Sequence, residues 1–111
     1  MEIEEHNYGA VAVIKPIGAL TVADADSLKA QMLDVRTKSL GRIVLDVTAV
    51  PFVDSRGLEV LVEVAREMTR TGQTLKLAGL TEVLDEVLKL TGLNSSFEYF
   101  EDVNAAVRSF L

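Results

Sequence analysis

The sequence has no cysteine and no tryptophan, only one histidine and two prolines, and few aromatic residues. Without cysteine there is no disulfide, no thiolate nucleophile and no zinc–thiolate site. The one imidazole, His6, sits in an acidic stretch with no second histidine to share a metal or a proton relay, so it reads as a solvated strand residue. No apolar run approaches the roughly 18 residues of a membrane span. The opening "MEIEEHNYGA" lacks the basic-then-apolar order of a signal peptide. Positive charge is scarce as well: 17 acidic side chains face 11 Lys and Arg, for a formal net charge of −6. That balance, with no basic run to offset it, argues against a nucleic-acid partner. The expectation is a cytosolic protein forming one domain over residues 1–111, with a core of its own and no metal or cofactor.

What is present is regular. "MEIEEH" and "AVAVIKPIG" read as two strands around an "NYG" turn, with Pro16 suited to an edge or a strand end. "TVADADSLKAQMLDVRTKSLG" reads as a helix, with Thr21 as cap, Asp24 three residues on, and Ala25, Leu28, Met32 and Val35 facing inward. "RIVLDVTAV" is apolar on both faces, the mark of a strand covered by helices; Ile43, Val44, Leu45 and Val47 should be buried. The next helix, "VDSRGLEVLVEVAREMTRTG", has Leu58, Leu61, Ala65 and Met68 as its stripe. "TLKLAG" is a short strand. "LTEVLDEVLKLTG" is a helix capped by Thr81, with Val83, Leu84, Val87 and Leu88 inward. "FEYF" is a last strand, and "EDVNAAVRSFL" a terminal helix packed through Val103, Ala106, Val107 and Phe110. The order predicts an α/β domain: a mixed, mostly parallel sheet of four to five strands with about four helices.

Catalytic chemistry finds little support. The acidic pairs fall on exposed faces or first helical turns, where they complement helix dipoles. The glycines of "GRIVLD" and "TGQTLKLAG" lack the spacing of a phosphate-cradling loop. An enzyme is therefore not expected. The one concentrated feature is "FVDSRGLEVL", residues 52–61, where Asp54 or Ser55 can cap the helix that follows. Asp46, Pro51 and Gly57-Leu58-Glu59 also mimic a response-regulator receiver. That likeness fails, because the early strand "AVAVIKPIG" ends without the acidic pair that phosphoaspartate chemistry needs, and no lysine follows the last parallel strand.

Four segments in register carry a better resemblance: "IGALT", "IVLDVTAV", "FVDSRGL" and "LKLTGLNSSF". Together they are similar to the STAS family, small domains typified by bacterial anti-sigma factor antagonists. The resemblance implies a regulatory module, not an enzyme. Its partner would be a serine kinase/anti-sigma factor of the histidine-kinase-like ATPase type, with a protein phosphatase resetting the switch. By the same resemblance Ser55 is the phosphorylated serine, and Thr21, Asp54, Ser55, Arg56, Gly57 and Glu59 form the partner-binding surface. Arg56 stands where the antagonists usually have Ser, Thr or Ala, and Glu59 where they often have Gly. Ala19 and Thr21 replace the acidic positions of the usual Gly-Glu-Leu-Asp turn. Both departures on the helix fall near the surface a partner would cover, where a long cation and an added acid would either clash with a generic kinase partner or re-specify the pairing. The alternatives within the same fold are a soluble subunit of a transporter, a scaffold in a signalling assembly without phospho-switching, or a nucleotide-sensing domain.

Overall fold

Ile43, Val44 and Leu45 are fully buried and Val47 is 1% exposed, at the centre of a five-stranded sheet. The computed structural model describes residues 1–111. The strands are β1 (Glu2–Tyr8), β2 (Val11–Ile17), β3 (Ile43–Asp46), β4 (Lys76–Ala78) and β5 (Glu98–Phe100), and they lie in chain order across the sheet. β1 and β2 form an antiparallel hairpin; every later pair is parallel. The helices α1 (Val22–Lys38), α2 (Ser55–Arg70) and α3 (Glu82–Leu90) supply the crossovers, a 3₁₀ turn covers Asn94–Ser96, and α4 (Val103–Arg108) closes the fold. Pro16 lies in the second strand, not at the sheet edge. It stands beyond the last β2–β3 pair, Ile14↔Leu45, where its missing N–H interrupts no ladder.

The strand pleat sends alternate residues to opposite faces, and each face has its own core. Ala12, Ile14, Ile43, Leu45 and Leu77 join α1, α2 and α3 in a cluster of 22 buried residues. Val11, Val13, Val44 and Ala78 face α4, through Ala106. That two-sided cover is why β3 carries an unbroken apolar run. On the α4 side the Lys76 ammonium donates to Ser109 Oγ at 2.6 Å and lies 3.8 Å from the Phe110 ring centroid.

Three details of packing differ from the helical periodicity. α2 buries Val60, Val62 and Val64 as well as Leu61, Ala65 and Met68, because it packs against α1 and the 3₁₀ turn while sharing the large core cluster with the sheet. Leu58, expected in the stripe, is only half-buried. In α3, Leu84 and Leu88 are fully buried, but Val83 is 51% exposed and Val87 half-buried. A nine-residue helix docked along one i, i+4 line has no second face to bury. In α4 only Ala106 is fully enclosed, with Val103, Val107 and Phe110 packed around it at the margin.

Candidate functional site

The loops after β2 and β3 run side by side. Leu20 and Val53 form an isolated parallel bridge; the Leu20 N–H donates to the Phe52 carbonyl at 3.1 Å, and the Asp54 N–H to the Leu20 carbonyl at 3.0 Å. This zipper brings the N-termini of α1 and α2 together, and Asp54 serves both. Its Oδ1 accepts from the Gly57 N–H and its Oδ2 from the Val22 N–H, each at 2.8 Å. Between the two candidate caps of α2, Asp54 takes the cap, and Ser55 becomes the first helical residue. Thr21 does occupy the N-cap position of α1. Its side chain makes no capping hydrogen bond, so the expected Thr21–Asp24 box does not form. The Asp24 side chain accepts instead from the N-terminal ammonium of Met1 at 3.3 Å, and the Asp54 carboxylate, reaching across from the start of α2, caps the Val22 amide.

These amides, Gly57 first and Val22 second, hold the Asp54 carboxyl below its ordinary value of 3.8. A depressed carboxyl stabilises the fold above its unfolded pKa, and that contribution disappears as pH falls through the lower folded value. Asp54→Asn keeps one acceptor oxygen and can cap only one of the two helices; Asp54→Ala caps neither. Thermal melts at pH 7 should rank wild type above Asp54→Asn and Asp54→Ala lowest. Both variants should lose stability less steeply than wild type below about pH 4. Identical acid slopes for all three would remove the double cap.

Ser55 is exposed on the first turn of α2, where the hydroxyl is open to solvent. That hydroxyl lies at the positive end of α2, whose Gly57 amide is already taken by Asp54. Gly57 is buried and has a steric role. A Cβ at this position would lie 2.4 Å from the Leu20 carbonyl oxygen, so only glycine lets the helix approach the zippered loop this closely.

Arg56 does not reach out to solvent. Its guanidinium pairs with Asp26 of α1 and Glu59 of α2, and with Glu63 at 3.0 Å; Lys29 joins Glu63 at 3.5 Å. The carboxylates, Asp26 foremost, hold the guanidinium still more firmly protonated than usual. Arg56 and Glu59, the two departures from the family pattern on this helix, are thus partners of each other. Their i, i+3 spacing was the signal that could have shown it.

The sequence reading missed two flanking features. Phe52, two residues before Asp54, and Val22, whose N–H donates to it, are large apolar side chains exposed at 47% and 68%. Beside Ser55, the half-buried Leu58 borders a shallow groove of about 270 Å³ with Val62 and Leu93. Exposed apolar surface next to a polar site is a usual mark of a protein-binding face. Asp46, the aspartate of the receiver likeness, is turned inward: its Oδ1 accepts from the Thr48 N–H at 3.0 Å and from Thr48 Oγ1 at 2.7 Å. It braces the loop after β3. No helix is long and apolar enough to cross a membrane.

The STAS domain family matches residues 2–106. BtrV of Bordetella bronchiseptica, provisionally named an anti-sigma factor antagonist, is 29% identical over 93 residues, covering 84% of this chain and 80% of that protein. A protein of Thermotoga maritima with the same provisional name shares the fold, with a TM-score of 0.86 at 22% identity over 96% of this chain and 92% of its own. So does the anti-sigma factor antagonist SpoIIAA in its unphosphorylated form, with a TM-score of 0.75 at 13% identity over 98% and 96% of the two chains.

Proposed function

Because the chain belongs to the STAS family, we propose that it is an anti-sigma factor antagonist switched by phosphorylation of Ser55. Its partner is a serine kinase/anti-sigma factor of the histidine-kinase-like ATPase type, and a protein phosphatase restores the free hydroxyl. The chain acts by binding and not by catalysis. The observation that carries this reading is the position of Ser55: exposed, at the first turn of α2, next to the Asp54 double helix cap, with the exposed Phe52 three residues before it. The name of BtrV favours the regulator over a transporter subunit.

The mechanism is electrostatic. A phosphate on Ser55 adds roughly −1.5 to −2 charges at neutral pH. In the free domain those charges lie in water at the positive end of α2, so the fold tolerates them. Arg56 offers little further compensation, because Asp26, Glu59 and Glu63 already occupy it. Under a bound partner the same phosphate would have to shed its water without a cation waiting for it, and an unpaired buried charge costs several kcal/mol. Phosphorylation therefore releases the partner without remodelling the domain.

Calorimetric titration of the co-purified kinase partner against two variants tests this. Ser55→Ala should bind as tightly as the unphosphorylated protein and accept no phosphate. Ser55→Asp should bind about a hundredfold more weakly while melting near the wild-type temperature. Equal affinities for both would take Ser55 out of the switch and leave it as an ordinary first-turn residue.

A further inference from the structure

Four clefts indent the surface, and three of them carry carboxylates: Glu5 in one, Glu98 in another, and Glu59 with Glu63 in the groove beside Ser55. The fourth carries none. It measures about 650 Å³, lies between the C-terminal half of α2 and the 3₁₀ turn, and is bordered by Arg66, Thr69, Arg70, Thr74, Ser95 and Ser96. In a chain with 17 acids against 11 basic residues, an acid-free basic cleft is an exception.

Its donors converge. Arg66 and Arg70 are one helical turn apart and so project from the same face. Arg66 is in no ion pair, and Arg70 touches only Glu67, at 3.3 Å. The Thr69 hydroxyl is spent on the Ala65 carbonyl at 2.9 Å. The hydroxyls of Thr74, Ser95 and Ser96 have no hydrogen-bond partner in the protein, which leaves them free to donate into the cleft. Two guanidinium forks with three hydroxyl donors suit a tetrahedral oxyanion with several acceptor oxygens better than a two-oxygen carboxylate. The cleft lies toward the negative end of α2, but that end carries about half a charge against two full positive ones.

We propose that this cleft binds a phosphoryl group, either as free phosphate or as the phosphate of a small-molecule ester. The site adjoins the groove beside Ser55, with Arg66 bordering both, and it does not depend on the switch proposed there. The test is an amide NMR titration of the whole chain at low ionic strength with inorganic phosphate, tripolyphosphate and ATP, against sodium chloride at matched ionic strength. Phosphate should give saturable shifts confined to residues 65–74 and 95–96. Arg66→Gln combined with Arg70→Gln should weaken binding by at least about tenfold at an unchanged melting temperature. Arg108→Gln, which removes an exposed arginine outside any ion pair, should leave affinity within about twofold, so that net charge alone is not the cause. ATP binding tighter than tripolyphosphate would identify a nucleotide as the source, and equal binding would identify free phosphate. Shifts that follow chloride without saturating, or full affinity in the double variant, would overturn the proposal.

Discussion

Leu61→Ala should lower folding stability by about 2–5 kcal/mol, the range for emptying a fully packed aliphatic site. Leu61 is 1% exposed and belongs to the large cluster shared by the sheet and three helices. It shares that cluster with Ala65 and Met68 of the same helix and with Ile14 and Leu45 of the sheet, close-packed surroundings that cannot collapse cheaply into a cavity. A domain of this size has roughly 5–15 kcal/mol in total, so the loss is a large share of it. Leu84→Ala and Leu88→Ala, at equally buried positions, should fall in the same range. The informative control is Val83→Ala. The helical stripe places Val83 with Leu84 and Leu88, whereas the folded chain leaves it half in water, and its truncation should cost only about 0.5 kcal/mol or less. Urea melts of the four variants decide the matter. A Val83→Ala loss matching that of Leu61→Ala would mean α3 is rotated from the position described.

Gly57→Ala should also destabilise, by about 1–3 kcal/mol, although alanine is ordinarily the better helix former by about 1 kcal/mol. The sign reverses because of what the new methyl meets. It would lie 2.4 Å from the Leu20 carbonyl oxygen and 2.9 Å from Leu20 Cγ. The side chain could rotate away, but the carbonyl cannot: it accepts from the Asp54 N–H, and the Leu20 N–H is itself bound to the Phe52 carbonyl. Relief therefore requires α2 to lift off the loop. That movement would pull the Gly57 and Val22 amides away from Asp54 and shift Ser55 with them. Gly57→Ala should accordingly lose both melting temperature and partner affinity, although the methyl itself is buried beneath the surface a partner would touch. A more stable Gly57→Ala protein would show that the loop yields, and that the close approach at Leu20 does not position the site.

Much of the molecule is legible in its sequence, because the signals are local. Period-2 and period-3.6 patterns are properties of neighbouring residues, and they placed five strands and four helices in the right order. The unbroken "RIVLDV" run identified β3 as an interior strand, since only two-sided cover keeps so many apolar residues out of water. The four STAS-like segments located the loop that carries Ser55 at the start of α2. What the sequence left open depends on which distant segments become neighbours. Asp54 and Val22 are 32 residues apart, and Arg56 and Asp26 are 30 apart. No window of sequence contains either pair. The parallel β2–β3 register lays one loop along the other, and only then does Asp54 prove to cap two helices and Thr21 none. The same packing puts Arg56 between acids of α1 and α2, so a residue expected on the partner-binding surface becomes a tie between helices. Local chemistry determined which elements form; the contacts that close the site come from long-range register, which only the folded chain supplies.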